Sequence, residues 1–259
     1  MPSELLTERR GGVLVLTISD PASRNTLSQQ VISAGIEALN VAEADTELRC
    51  VVLRGDGAHF CAGGNLQGLL ERRQSGPEAQ ARMLDHLHQW IEAIRVFPRP
   101  VLAAVEGAAA GAGFALALAC DLMVAAEDAR FILSHARIGL SPDGGATWSL
   151  AASLPRALAQ QLVWLAEPVS ARQMLGWGLA QAVVDSGQAL AEALRLAERL
   201  GAMAPNALES GKQLLQQAPG RTLAQQLAAE RDHFIQNLFH ANAAEGLQAF
   251  IDKRPPRFR

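Results

Sequence analysis

The run Gly107–Ala108–Ala109–Ala110–Gly111–Ala112–Gly113 constrains the fold of this chain more than any other stretch. It follows the apolar, strand-like Val101–Val105 and leads into a helix of small residues. Side chains this small let backbone or ligand approach closely, so the segment reads as a tight strand-to-helix turn. The apolar stretch from Gly107 to Cys120 is bounded by Glu106 and Asp121. It is too short for the roughly 20 residues that cross a bilayer, so it is read as protein interior.

Val13–Ile18 reads as a strand stopped at Asp20–Pro21, and Cys50–Leu53 as a buried-type strand. Between them, Ser28 is placed to cap a helix running to about Glu43, with Val31, Ile32, Gly35, Ile36 and Leu39 on one face. The polar stretch Glu71–Pro77 is expected to be a mobile loop before a helix from about Ala81 to Val96, ended by Pro98 and Pro100. Leu122–Val124 and Phe131–Leu133 are further short strands. Beyond Pro142 helical periodicity dominates, and Leu223, Leu227, Phe234 and Leu238 fall on one face of a long late helix. The alternation up to about Val184 implies a mixed α/β core followed by a helical section, with no internal repeat and no linker.

At 259 residues the chain is long enough for one substantial core, and 49% hydrophobic with 19% charged residues is a globular composition. A net charge of −3 gives no basic field for nucleic acid or a membrane surface. Cys50, Cys61 and Cys120 form no close pair, which argues against a disulfide framework and for a reducing, cytoplasmic setting. Met1–Arg10 lacks the apolar core of a signal peptide.

Several familiar motifs fail. Leu116 stands where a dinucleotide fingerprint beginning at Gly111 needs its third glycine, and Gly211–Lys212 is followed by Gln213 rather than Ser or Thr. No Gly-x-Ser-x-Gly elbow is present. His86 and His88 are two apart and diverge on a helix, so no metal site is expected. Tyrosine is absent altogether, which leaves acid–base chemistry to carboxylates, His, Cys or Lys.

Two glycine-rich turns and one carboxylate remain. His59–Phe60–Cys61–Ala62–Gly63–Gly64–Asn65–Leu66 and Ala110–Gly111–Ala112–Gly113–Phe114 each join a strand to a helix start. Free N–H groups at such turns, aided by a helix dipole, can stabilise a negatively charging oxygen. The same glycines serve equally for tight helix–strand packing. In Ile138–Gly139–Leu140–Ser141–Pro142–Asp143–Gly144–Gly145, Asp143 is either a turn former or a carboxylate exposed to substrate by its flanking glycines.

Taken in this order, Phe60–Leu66, Pro100–Asp121, Ile138–Gly145 and Ala249–Arg254 resemble the enoyl-coenzyme A hydratase/isomerase (crotonase) family over nearly the whole chain. The resemblance implies an α/β fold, a spiral of ββα units with a helical C-terminal section that builds trimers or hexamers. Residues 1–195 would form the core carrying the acyl-coenzyme A and catalytic site, and 196–259 the helical section. It places the oxyanion donors on the N–H groups of Gly64 and Ala112. The turn Ala62–Gly64–Asn65–Leu66 would hold coenzyme A, Arg24 would face its phosphates, and Phe250 and Lys253 would reach the nucleotide from the C-terminal end. Read without the family, Lys253, Arg254, Arg257 and Arg259 are a solvated basic tail. No cofactor is expected, coenzyme A being part of the substrate.

The departures point to a subtype. Hydratases of the family use two glutamates, and this chain has Ala115 and His135 at those places. Asn65 stands where the family usually has aspartate. Asp143 matches the acidic base of isomerase branches, with Trp148 and Leu140 expected to desolvate it. Ile138–Trp148, Ala228–Asp232 and Ala249–Lys253 most resemble ring-1,2-epoxyphenylacetyl-coenzyme A isomerases. The implied activity is a double-bond shift or epoxyphenylacetyl-type isomerisation in fatty-acid or aromatic-acid catabolism. Three other readings stay open: a hydratase using His135 with Asp143, a hydrolase using Asp143 as nucleophile, and a non-catalytic acyl-coenzyme A-binding protein.

Overall fold

The structure, a computed structural model, describes residues 3–259; Met1 and Pro2 lie outside the described residues. Strands β1 (Glu4–Arg10) and β2 (Val13–Ser19) form an antiparallel hairpin. Helix α1 (Gln29–Glu43) crosses from β2 to the parallel strand β3 (Cys50–Gly55). Ser28 caps α1 by accepting from the Val31 N–H at 3.2 Å, and the expected face with Val31, Ile32, Gly35 and Leu39 is buried.

The stretch expected as a loop is instead helical. Helix α2 (Leu66–Ser75) is followed after Gly76 by α3 (Pro77–Val96). Asn65 caps α2 by accepting from the Gly68 N–H at 3.0 Å, and Arg72 Nε donates to Gln80 Oε1 of α3 at 2.7 Å. The run of charges that suggested a loop is the outer surface of a short helix with no buried residue. Pro77 then starts α3, where its missing N–H costs nothing.

Strand β4 (Val101–Val105) leads through β5 (Ala108–Ala110) into α4 (Ala112–Ala119). Strands β6 (Leu122–Ala126) and β7 (Arg130–Ile132) follow, then a 3-10 turn at Ser134–Ile138 and helices α5 (Ala146–Ser153) and α6 (Arg156–Leu165). After β8 (Val169–Ser170), α7 (Ala171–Gly176) and β9 (Ala182–Val184), the rest is helical: α8 (Ala189–Gly201), α9 (Pro205–Gln217), α10 (Leu223–Leu238) and α11 (Ala241–Ile251). The large sheet has the order β1-β2-β3-β4-β6-β9, parallel after the first pair, and β5-β7-β8 form a small second sheet.

Both faces of the large sheet are covered. Val51 and Leu53 join the core that includes Val31, Trp90 and Phe114, while Cys50 and Val52 pack with Val13, Leu102 and Val124 against Ala189, Ala193 and Ala197 of α8. Burial on two faces explains why β3 and β4 read as unbroken apolar runs rather than alternating ones. The residue boundary expected at 195/196 falls within α8, which is part of this packing. Edge strand β1 is largely exposed and charged, which hid it from hydrophobic periodicity. Helix α9 is tied to the sheet by Lys212, whose Nζ lies 2.7 Å from Asp121 Oδ2; that oxygen also accepts from the Val101 N–H at 2.8 Å. Burial pushes the Asp121 carboxyl above its ordinary range, and Lys212 opposes that push. Among the described residues no helix is long and apolar enough to cross a membrane.

Gly35 lets Trp90 of α3 seat its fully buried ring against α1, and a Cβ at Gly35 would overlap the indole. Gly35→Ala is therefore expected to lower unfolding free energy by about 1–3 kcal/mol, as overpacked cores do. Chemical denaturation checks this, and an unchanged midpoint would refute it.

Candidate active site

The first glycine turn is laced in from both sides. The Phe60 N–H donates to Glu106 O at 2.8 Å, the Cys61 N–H to Ala108 O at 3.0 Å, and the Ala110 N–H back to Cys61 O at 2.9 Å. Cys61 and Ala109 thereby pair as isolated parallel residues. On the other side the Ala62 N–H donates to Arg24 O at 2.9 Å and the Leu27 N–H to Gly63 O at 2.8 Å. Gly63 has φ +87°, and a Cβ there would lie 2.6 Å from Ala110 O and 3.2 Å from Ala112 N. The two turns thus abut, with glycine required at their contact.

Buried Asn25 organises the approach to this turn and was not anticipated. Its Nδ2 donates to Asp56 O at 2.8 Å and His59 O at 2.7 Å, and its Oδ1 accepts from the Asp20 N–H at 2.9 Å. The only sequence cue is an amide residue just after the Asp20–Pro21 turn.

The second turn ends at Ala112, first residue of α4, whose N–H has no intrahelical partner by position. Among the described residues neither the Gly64 nor the Ala112 N–H donates to another group of the chain. Both residues line a cavity of about 740 Å³. The 3-10 turn delivers His135 and the following loop Asp143 to the same cavity, the Leu140 N–H donating to His135 O at 3.0 Å. His135 is only 7% exposed, and its Nε2 lies 3.4 Å from Asp143 Oδ1. Asp143 is the only carboxylate lining the cavity among the described residues.

Of the expected residues, Ala62, Gly64, Leu66, Ala112, His135 and Asp143 meet around this space, as does Leu140. Asn65 faces an adjoining polar groove of about 680 Å³ with Ser28 and Arg72. Arg24 is exposed and meets the site through its carbonyl rather than its side chain. Trp148 is elsewhere: Thr147 lines the cavity, and one step along α5 turns the indole away, onto the Arg95 guanidinium at 4.3 Å. Phe250, 86% exposed, and Lys253 stand on the surface of the single chain, outside the cavity. The cavity residues not singled out from the sequence include Gln80, Met83, Leu84, Leu87 and His88 of α3, a helix that was itself expected from about Ala81 to Val96. The repeat of Met83, Leu84, Leu87 and His88 on one helical face was the available signal.

Cysteine chemistry is set aside. Cys61 adjoins the first turn, but burial pushes its thiol up to about 12, so no reactive thiolate forms near neutral pH.

Comparison with known proteins shows the family. The family model described as enoyl-CoA hydratase/isomerase matches residues 8–259. A 2,3-dehydroadipyl-CoA hydratase of Escherichia coli (strain K12) is 35% identical over 99% of this chain and 99% of its own length. A 1,2-epoxyphenylacetyl-CoA isomerase of the same organism is 34% identical over 98% of this chain and 97% of its own. The crystal structure of an enoyl-CoA hydratase from Polaromonas sp. JS666 superposes with a TM-score of 0.98 at 54% identity, covering 99% of this chain and all of that one (100%). The chain belongs to the enoyl-CoA hydratase/isomerase family and has the crotonase fold. It is an acyl-coenzyme A enzyme of that family.

Gly144 has φ +58°, and a Cβ there would lie 2.8 Å from Ala115 Cβ. Gly144→Ala is expected to displace Asp143 and lower turnover roughly 10–100-fold, the scale of small misplacements at reacting groups. Steady-state kinetics beside far-ultraviolet circular dichroism checks it; full activity in the folded variant would refute it.

Proposed function

We propose that the chain is an enoyl-coenzyme A isomerase that shifts a double bond, or rearranges an epoxyphenylacetyl-type thioester, through an enolate. The observation that carries this reading is the single carboxylate, Asp143, in a cavity also lined by Gly64 and Ala112, whose backbone N–H groups have no partner among the described residues. The thioester oxygen sits between the N–H groups of Gly64 and Ala112, where the positive end of α4 adds to the attraction. Charge that develops on that oxygen is then met by donors already in place.

Asp143 takes a proton from one carbon of the acyl chain and returns it to another. One carboxylate is enough, because the shift involves no net gain or loss of protons. Ala115 and His135, in place of two glutamates, favour proton shuttling over addition of water. The coenzyme A portion runs past Ala62 and Leu66 into the polar groove beside Asn65, with Arg24 at the surface for its phosphates. No cofactor beyond the coenzyme A of the substrate enters this scheme.

Oligomerisation belongs to the same proposal. Leu223, Leu227, Phe234 and Leu238 of α10 and Phe250 and Ile251 at the C-terminal end are exposed on the single chain, an apolar surface suited to packing against further copies in a trimer or hexamer.

Turnover of 3-enoyl and epoxyphenylacetyl thioesters in deuterated water, read by mass spectrometry, tests the chemistry. Deuterium in the product without a water adduct is the expected result, because the part-exposed Asp143 carboxyl exchanges its captured proton with solvent before returning it. A water adduct from crotonyl-coenzyme A, seen as loss of conjugated absorbance, would favour the hydratase reading instead. Asp143→Asn is expected to reduce isomerisation by about 10²–10⁴-fold while acyl-coenzyme A binding survives. Retained turnover in that variant would remove Asp143 as the base.

A further inference from the structure

The isomerase scheme gives no work to the best-buried polar side chain of the cavity. His135 is 7% exposed, yet its Nδ1 is buried without any hydrogen-bond partner. Its ring is bounded on one side by the second glycine turn: a Cβ at Gly111 would meet Cε1 and Nε2 at 3.7 Å, an ordinary van der Waals contact. On the other side Nε2 faces Asp143 Oδ1 at 3.4 Å. That oxygen is itself buried with no hydrogen-bond partner, although the Asp143 side chain as a whole is 26% exposed. The carboxylate is therefore divided: Oδ1 is turned inward to the imidazole, and the exposed remainder includes Oδ2.

Asp143 Oδ1, buried without a partner, gains by closing on the Nε2 that faces it slightly beyond hydrogen-bond length. The two ring nitrogens are not equivalent in this setting. A proton on Nε2 has a carboxylate oxygen 3.4 Å from its nitrogen to close on, whereas a proton on Nδ1 is a donor buried without an acceptor. The surroundings thus select the tautomer with its proton on Nε2.

We propose that His135 is a positioning residue for Asp143: its Nε2–H holds Oδ1 and thereby aims Oδ2 at the substrate carbon from which the proton is taken. The assignment rests on the reading of Asp143 as the proton carrier. It gives a physical reason for an imidazole at this place. The ring is rigid, is buried beside the second glycine turn, and offers one donor toward Asp143. It also explains how a carboxylate on a glycine-flanked loop keeps one orientation through both proton transfers. The backbone supplies the second restraint, since the Leu140 N–H donates to His135 O and the Ala146 N–H to Asp143 O at 3.2 Å.

A double-mutant cycle tests it. His135→Leu should lower kcat roughly 10–100-fold, the scale of a misaimed reacting group, with KM changed less than about threefold. His135→Gln, which retains an amide donor near the Nε2 position, should recover most of the loss. In the Asp143→Asn background, His135→Leu should cost nothing further, because a residue that acts through Asp143 has nothing left to orient. Losses that multiply in the double variant would overturn the proposal, as would His135→Leu with full kcat. Full turnover of Asp143→Asn alone would instead refute the proton-carrier reading, so the two failures are distinguishable. Nitrogen-15 spectra of histidine-labelled wild-type protein give a check independent of whether any variant folds: the His135 proton should reside on Nε2, and a proton on Nδ1 with Nε2 bare would overturn the assignment.

Discussion

The pairing of Cys61 with Ala109 holds the site together. Through it the first glycine turn is hydrogen-bonded to the short strand that leads into the second, and the relative position of two backbone N–H groups is set by main-chain bonds. Placement of donors by backbone geometry suits electrostatic stabilisation, because nothing has to reorganise when charge appears. Gly63 belongs to the same constraint, since any side chain there would push the turns apart. The large parallel sheet, buried on both faces, supplies the rigid base from which β3 and β4 lead into these turns.

The third wall is built differently. Asp143 rides on a loop whose shape depends on Gly139, Gly144 and Gly145 at positive φ, anchored by the Leu140 N–H on His135 O. Two walls are therefore fixed by strand-like pairing and one by glycine conformation with side-chain support. The carboxylate proposed as proton carrier sits on the wall with more conformational freedom.

Much of this was legible in the residues, for definite reasons. The buried strands announced themselves because double burial demands unbroken apolar runs, as in Cys50–Leu53 and Val101–Val105. Helix α1 was legible from Ser28 and a regular apolar face. The two glycine turns and the Asp143 loop were visible as motifs, and the cavity joins all three. What escaped was set by tertiary partners. Helix α2 buries no residue and so left no periodic signal, while β1 is an exposed edge strand. Strands of two or three residues, such as β5 and β8, are shorter than any pattern that could reveal them. Trp148 was expected to desolvate Asp143 as the end of the stretch resembling the isomerases, but helical rotation at the start of α5 turns it out. Asn25 shows the reverse: its role comes from backbone groups at Asp56 and His59, more than thirty positions away along the chain, which no local pattern encodes.

Helix α2 has one property with evolutionary weight. Leu66 and Leu69 on it border the cavity that holds Asp143, yet the helix contributes nothing to either core. Segments with so little buried surface open locally at low free-energy cost and tolerate replacement without endangering the whole molecule. Under the proposed function, substrate preference is thus written partly on a detachable page, so a lineage can revise which acyl group it accepts while the two N–H groups and Asp143 stay untouched.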